Sequence, residues 1–201
     1  MATDEAPPTR RSGARTRERA RQVALRLFTE QGYEATSLRQ IADELGINKA
    51  SLYYHFDGKE AIVQSLLDQR GDEAEELLAW VRAQPPGAGV IGEAVTRWVD
   101  SFTGEKLQGI RFLAANPRLL AGLAHDGEEP RVGAGLTQLA DELDELLPER
   151  TLEAAVMLRM ALLSINAAVH AAAGTTADDA AIVAAARRAA RILTDDLAPR
   201  G

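Results

Sequence analysis

Lys49, Ser51, Tyr53, Tyr54 and His55 stand in one short run, K-A-S-L-Y-Y-H, with no acidic residue until Asp57. A cation, a hydroxyl and aromatic groups on one surface suit a phosphate-lined groove. For these side chains, with Ala50 between them, to share a face, the run must be helical with Leu52 turned inward. Asn48 is placed to cap such a helix. Upstream, Leu38, Ile41, Ala42 and Leu45 fall at helical spacing, and Gly46 ends that stripe as a residue free to adopt positive φ. Ile47 packs under the turn. Ser37 and Gln40 form a capping box at the start of this first helix. Its free N–H groups offer a phosphate site, so Thr36 and Ser37 serve as cap, phosphate contact or both. The stretch from Thr36 to Phe56 reads as a helix-turn-helix whose second helix enters DNA.

Other chemistries find little support. The chain has no cysteine, which removes disulfides, thiolate metal sites and Cys nucleophiles and fits a reducing cytoplasm. His55, His125 and His170 lack metal-ligand spacing, and no serine sits in a G-x-S-x-G elbow. Glu75-Glu76 and Asp141, Glu142, Asp144 and Glu145 read as solvated helix faces. A G-x-G-x-x-G at Gly87, Gly89 and Gly92 follows two prolines and a helix instead of a strand, so it is not a dinucleotide site. No catalytic residue, metal or cofactor is expected.

Charge is divided along the chain. Residues 1–60 hold ten Lys/Arg against nine Asp/Glu, a net +1; residues 61–201 hold thirteen against twenty-one, a net −8. Together these give the −7 of the whole. Residues 10–26 carry seven arginines against one glutamate, so positive charge lies beside the helix-turn-helix. Residues 1–12 are polar and aperiodic and read as a disordered arm from which Arg10 and Arg11, with Arg15 just beyond, reach phosphates or a minor groove. No apolar run marks a signal peptide or a membrane span.

Helical periodicity recurs throughout. A first helix is expected from about Thr16 to Gln31, on Ala20, Val23, Ala24, Leu27 and Phe28, with Tyr33 packing back behind Gly32. Asp57 and Glu60 read as the cap of a long helix running to about Ala83, with Lys59 at its start near phosphate and Gly71 either a bend or simply tolerated. Helices follow over about 90–103, 105–115, 118–125, 132–147 and 152–173. A last helix is capped by Thr175 or Thr176. No strand is evident. The fold class is therefore all-α with about nine helices: an arm over 1–12, a three-helix DNA-binding domain over 13–60 and a helical body over 61–201.

The body suggests two further roles. Trp80, Trp98, Phe102, Phe112, Met157 and Met160, with Arg111, Asn166 and His170 as polar anchors, are candidates for a small-molecule pocket, although each also suits an ordinary core. Leu152–Ala173 is apolar almost all round and Asp178–Leu197 carries one apolar stripe. Two such helices per subunit would build a four-helix interface across a two-fold axis.

The pattern R-x-x-x-L-R-L-F-x-x-x-G-Y-x-A-T-S-L-R-Q-I-A-x-x-L-G-I-x-K-A-S-L-Y-Y-H-F-x-x-K-E, from Arg21 to Glu60, closely resembles the DNA-binding domain of TetR-type transcriptional regulators. The resemblance covers about fifty residues and does not reach the rest of the chain. It implies a homodimeric, cytoplasmic, ligand-responsive regulator, a repressor released from a palindromic operator in double-stranded DNA by an apolar small molecule. It places Lys49, Ser51, Tyr53, Tyr54 and His55 at the major groove and Thr36, Ser37 and Lys59 on phosphates. The alternative is a small-molecule-binding or enzymatic helical protein with a vestigial DNA-binding head.

Overall fold

Of the expected stripe of the first helix, Ala20, Ala24, Leu27 and Phe28 are buried and Val23 is half-buried, and Leu25 joins the buried set. In a computed structural model of the chain, which describes residues 10–123 and 131–198, they lie on α1 (Arg10–Gln31). That helix starts at Arg10 rather than Thr16, so residues 10–12 are helical and not part of an arm. Its first turns are arginine-rich and carry no apolar periodicity, which hid them. The rest of the expected arm, residues 1–9, lies outside the described residues.

The described residues form eleven α-helices and no strand, in two compact units that divide between Leu66 and Leu67. The first unit holds α1, α2 (Leu38–Leu45), α3 (Lys49–His55) and the start of α4 (Lys59–Arg82). Its core gathers Phe28, Ile41, Leu45, Leu52, Phe56 and Ile62, each under a tenth exposed. Phe28 and Tyr33 meet edge to face with ring centroids 5.0 Å apart.

The second unit holds the remainder of α4, then α5 (Ala88–Asp100), α6 (Gly104–Ala115), α7 (Pro117–Leu123), α8 (Arg131–Asp144), α9 (Leu152–Leu162), α10 (Ser164–Ala171) and α11 (Asp179–Asp196). α11 packs on α5, α9 and α10, while α8 lies on α9 and α10 on α6. Val95, Trp98, Leu107, Leu143, Leu158 and Ile165 lie in its continuous apolar core.

Three boundaries differ from the sequence reading. The expected helix Leu152–Ala173 breaks at Leu163, whose φ of −86° and ψ of 1° leave helical geometry, and its halves bend by 58°. The buried positions Leu158, Ala161, Leu162, Ile165 and Val169 keep helical spacing across the break, so the stripe conceals it. α5 starts at Ala88, so Gly89 and Gly92 of the glycine motif lie within a helix. α11 is capped by Asp178, whose carboxylate accepts from the Ala181 N–H at 2.8 Å, in place of a threonine. His125 and the acidic run after it lie outside the described residues. Among the described residues no single helix is long and apolar enough to cross a membrane; the bent α9–α10 pair reaches the length only jointly.

Gly71 has a packing role. A Cβ there would lie 2.9 Å from the Arg131 Cβ, closer than real contacts allow, and a tight 3.2 Å from the Arg131 carbonyl carbon. A Cβ on Gly135 would lie 3.1 Å from that of Ala74. Small residues thus let α4 and α8 approach closely, and Arg131 closes the crossing through Asp72 at 2.9 Å and Glu75 at 2.7 Å. Because the clash is with backbone, Gly71→Ala should destabilise the second unit by about 1–3 kcal/mol despite the better helix propensity of alanine. Urea unfolding checks this; a stabilised variant would contradict the packing role.

Candidate nucleic-acid interface

The turn between α2 and α3 is fixed at both ends by local hydrogen bonds. Ser37 Oγ accepts from the Gln40 N–H at 3.2 Å, and Gln40 Oε1 accepts from the Ser37 N–H at 2.8 Å, completing the expected capping box. Gly46 takes φ 68°, in the left-handed region. Its N–H donates to the Asp43 carbonyl, and the Ile47 N–H reaches back to Ala42, each at 3.1 Å. This closes α2 with the paired bonds that a glycine terminus favours. Asn48 Oδ1 then accepts from the Ser51 N–H at 2.7 Å and starts α3.

That frame leaves one side of α3 outward. Leu52 is fully buried, whereas Tyr54 is 82% exposed and Tyr53 43%. Lys49 and Ala50 are exposed; Ser51 and His55 are half-buried. The Lys49 ammonium lies 5.1 Å from the Tyr53 ring centroid, and Tyr54 meets His55 edge to face at 5.3 Å. A Cβ on Gly13 would make ordinary contact, 3.7 Å from His55 Cε1, so the arginine-rich start of α1 lies beside the end of α3. Arg15 and Arg19 are exposed on α1 and enter no ion pair among the described residues. Arg39, 81% exposed by its side chain, makes only a loose contact with Asp43 at 3.8 Å. Arg21 and Arg26, by contrast, are engaged by Glu18 and by Glu30 and Glu44. Arg19 and Arg39 were missed as site candidates. Their signal was charge beside the motif, at positions off the buried stripes.

Two expected contacts take other places. Thr36 is 1% exposed, and its hydroxyl donates to the carbonyls of Gly32 at 2.9 Å and Leu27 at 3.3 Å. It is a buried staple of the turn, not a surface phosphate ligand. Lys59 donates to the Tyr33 carbonyl at 2.7 Å with its ammonium 4.4 Å from the Tyr33 ring centroid, which ties the start of α4 to the α1–α2 turn. Ser37 stays exposed while acting as cap. Arg10 and Arg11 lie on α1 with side chains outside the described set.

The same tie includes Glu60, whose carboxylate accepts from the Tyr33 hydroxyl at 2.9 Å. A bond to its own backbone N–H and then this phenol hold the Glu60 carboxyl below its usual 4.5, while burial followed by Glu60 pushes the Tyr33 phenol up. A depressed carboxyl pKa means that this contribution to stability is present above pH 4.5 and is lost as pH falls through the folded value. Tyr33→Phe removes one cause of the depression. The variant should therefore lose less stability than the parent between about pH 5 and about pH 3, measured by unfolding at each pH. Parallel pH profiles would contradict the coupling.

The nine pocket candidates of the second unit do not converge. Trp80 and Trp98 line a cleft of about 360 Å³ with Glu73, Glu76, Leu77, Arg97, Ser101 and Lys106. Met157 lines a separate cavity of about 480 Å³ with Pro148, Glu149 and Leu197. Phe102 and Phe112 are buried, and Arg111 pairs with Asp179 at 2.5 Å. Met160, Asn166 and His170 are exposed. Aromatic content marked the cleft, but sequence could not say which α9–α10 residues turn outward, because that depends on the bend at Leu163.

Residues 21–66 match the family model described as "Bacterial regulatory proteins, tetR family". The chain is 51% identical over 45 residues to the HTH-type transcriptional repressor KstR2 of Rhodococcus jostii (strain RHA1), covering 22% of each chain. It is 54% identical over 41 residues to IcaR, the biofilm operon icaADBC HTH-type negative transcriptional regulator of Staphylococcus aureus (strain Newman), covering 20% of this chain and 22% of that one. These matches thus span about a fifth of the relatives' length. The fold extends further. KstR2 of Mycobacterium tuberculosis superimposes with a TM-score of 0.63 at 17% identity, over 92% of this chain and 95% of that one. A TetR-family regulator of Bordetella parapertussis 12822 does so at 0.61 and 20% identity, over 89% and 94%.

Proposed function

From the membership of residues 21–66 in the tetR family of bacterial regulatory proteins, we propose that the chain is a homodimeric, ligand-responsive repressor of transcription. The observation that carries this reading is the outward face of α3: Lys49, Ser51, Tyr53, Tyr54 and His55 around an anchored Leu52, beside the arginines of α1. Lys49, Arg15, Arg19 and Arg39 meet phosphate, Ser37 presents its helix start, and the tyrosines and His55 enter the major groove.

Dimerisation follows from an unpartnered apolar row. Leu152, Val156 and Met160 recur every fourth residue along α9 and are 84%, 47% and 53% exposed, with Ile192 of α11 61% exposed. A row of this kind is an association surface. A two-fold interface over α9, α10 and α11 pairs two α3 helices for a palindromic operator. The second unit binds the effector, whose preference for one state shifts the dimer away from DNA. The chain acts by binding and not by turnover, and in the cytoplasm, where such a regulator meets its operator. An intact, capped and exposed α3 speaks against a vestigial head. Gel shifts with genomic fragments at moderate salt test the reading: a retained fragment with a sequence preference supports it, and uniform retention of all fragments contradicts it.

A further inference from the structure

The cleft of about 360 Å³ is built from three helices of the second unit. Glu73, Glu76, Leu77 and Trp80 of α4 line it at i, i+3, i+4 and i+7, so one stripe of that helix forms a wall. Trp98 of α5, Ser101 just after it and Lys106 of α6 stand among the residues lining it. Trp98 is buried and closes the floor, while the half-buried Trp80, with the Arg97 guanidinium 4.1 Å from its ring centroid, gives the cleft an aromatic wall with a partly polar rim, which suits a small flat molecule.

Charge selects among such molecules. Arg70 lies behind the wall, its guanidinium 4.2 Å from the Trp98 ring centroid and 4.1 Å from that of Phe102. It bonds Glu73, and the same Glu73 oxygen accepts from Lys106 at 2.9 Å. The side chains of Arg70, Glu73 and Lys106 are 14%, 22% and 22% exposed, so water screens them little. Two cations therefore share one carboxylate in a part-buried cluster. Arg70 Nη2 is buried with no hydrogen-bond partner among the described residues. Burial also draws the Arg70 guanidinium down to about 10, with Glu73 opposing, which leaves it charged at neutral pH. Lys106 spends two donors, on Glu73 and on the Ser101 carbonyl at 2.8 Å, and an ammonium has three. The Glu76 carboxylate is exposed, so its opposing charge is solvent-screened.

We propose that this cleft is the effector site and that it takes a small aromatic carboxylate, its ring against the half-buried Trp80 and its carboxylate on Lys106. The inference rests on the ligand-responsive reading above and sharpens it, replacing an apolar effector by an acid with an apolar body. The anion supplies the second negative charge that the Arg70–Glu73–Lys106 cluster lacks. Because it also touches the α4 stripe, it acts on the helix that starts at Lys59 in the first unit.

The chain reports on this site directly, since Trp80 and Trp98 are its only tryptophans and both line the cleft. The full-length protein is titrated with benzoate, phenylacetate and 3-phenylpropionate, and with the amide and the amine of matching shape for each. Tryptophan emission is followed throughout. At least one acid should saturate the signal and bind about tenfold or more tighter than its amide and amine, as a charge-assisted bond implies. Lys106→Met should remove that preference, and Lys106→Arg should keep it. The proposal is overturned if no acid binds ahead of its amide, if an amine binds ahead of its acid, or if Lys106→Met leaves the preference intact while still folded by circular dichroism. The same samples are tested on specific DNA by fluorescence anisotropy. Specific DNA binding without acid preference defeats the cleft assignment alone, whereas absence of specific DNA binding defeats the regulator reading.

Discussion

Lys49→Glu should lower operator affinity by about a hundredfold at moderate salt while leaving the fold intact. The residue is exposed at the first turn of α3, and among the described residues its ammonium is placed near the Tyr53 ring, 5.1 Å from the centroid. The fold therefore depends little on it, so the substitution probes the proposed phosphate contact. In a dimer the substitution acts twice. Each copy loses a phosphate contact and gains a repulsive charge, so the slope of log affinity against log salt should become shallower by about two. Lys49→Ala should lose less affinity, evenly across sequences, because only the contact disappears. Tyr54→Ala provides the contrast. At 82% exposure it too is dispensable for folding, but its loss should leave the salt slope almost unchanged. Fluorescence anisotropy over a salt series separates the two. An unchanged slope for Lys49→Glu would remove that residue from the phosphate contacts.

Val156→Arg should break the proposed dimer. Val156 lies in the middle of the exposed row Leu152, Val156 and Met160, and its side chain is not needed in the core of its own subunit. Around a two-fold axis one substitution places two cations in an apolar interface. The dimer dissociation constant should rise by about a hundredfold or more, as for a central interface residue. Sedimentation equilibrium gives the result directly. The monomer would retain one α3 and so bind a half-site weakly. A Val156→Arg protein that stays dimeric would move the interface elsewhere.

What was legible in the sequence was whatever local chemistry dictates. Ser37 with Gln40, Gly46 and Asn48 set their caps and turn through bonds within a few residues, and all four do in the structure what their types require. Leu38, Ile41, Ala42, Leu45 and Leu52 are buried as their spacing demands. The match of residues 21–66 to the family model bears out the resemblance. The all-α class was legible for the same reason, although the described residues form eleven helices instead of about nine.

What was not legible depends on distant partners. Thr36 looks like a surface hydroxyl in sequence, yet its bond to the Leu27 carbonyl requires α1 to pass close by. The break at Leu163 has neither proline nor glycine to announce it, and the buried stripe runs through it. The cleft beside Trp80 and Trp98 brings together three helices, and Arg70, Glu73 and Lys106 share a charge pattern only once α4 and α6 meet. Charged residues on helices normally read as solvated faces, so nothing in their spacing marked these three.

The central claim is that two α3 faces read DNA together. Selection of bound sequences from a randomised DNA pool by the full-length protein, at near-physiological salt, tests it most directly. The account predicts enrichment of an inverted repeat whose half-sites have centres about one helical turn apart, or a small multiple of it, as two recognition helices related by a dyad require. Recovery of a pool with no enriched sequence, or of a single site without two-fold symmetry, would contradict it.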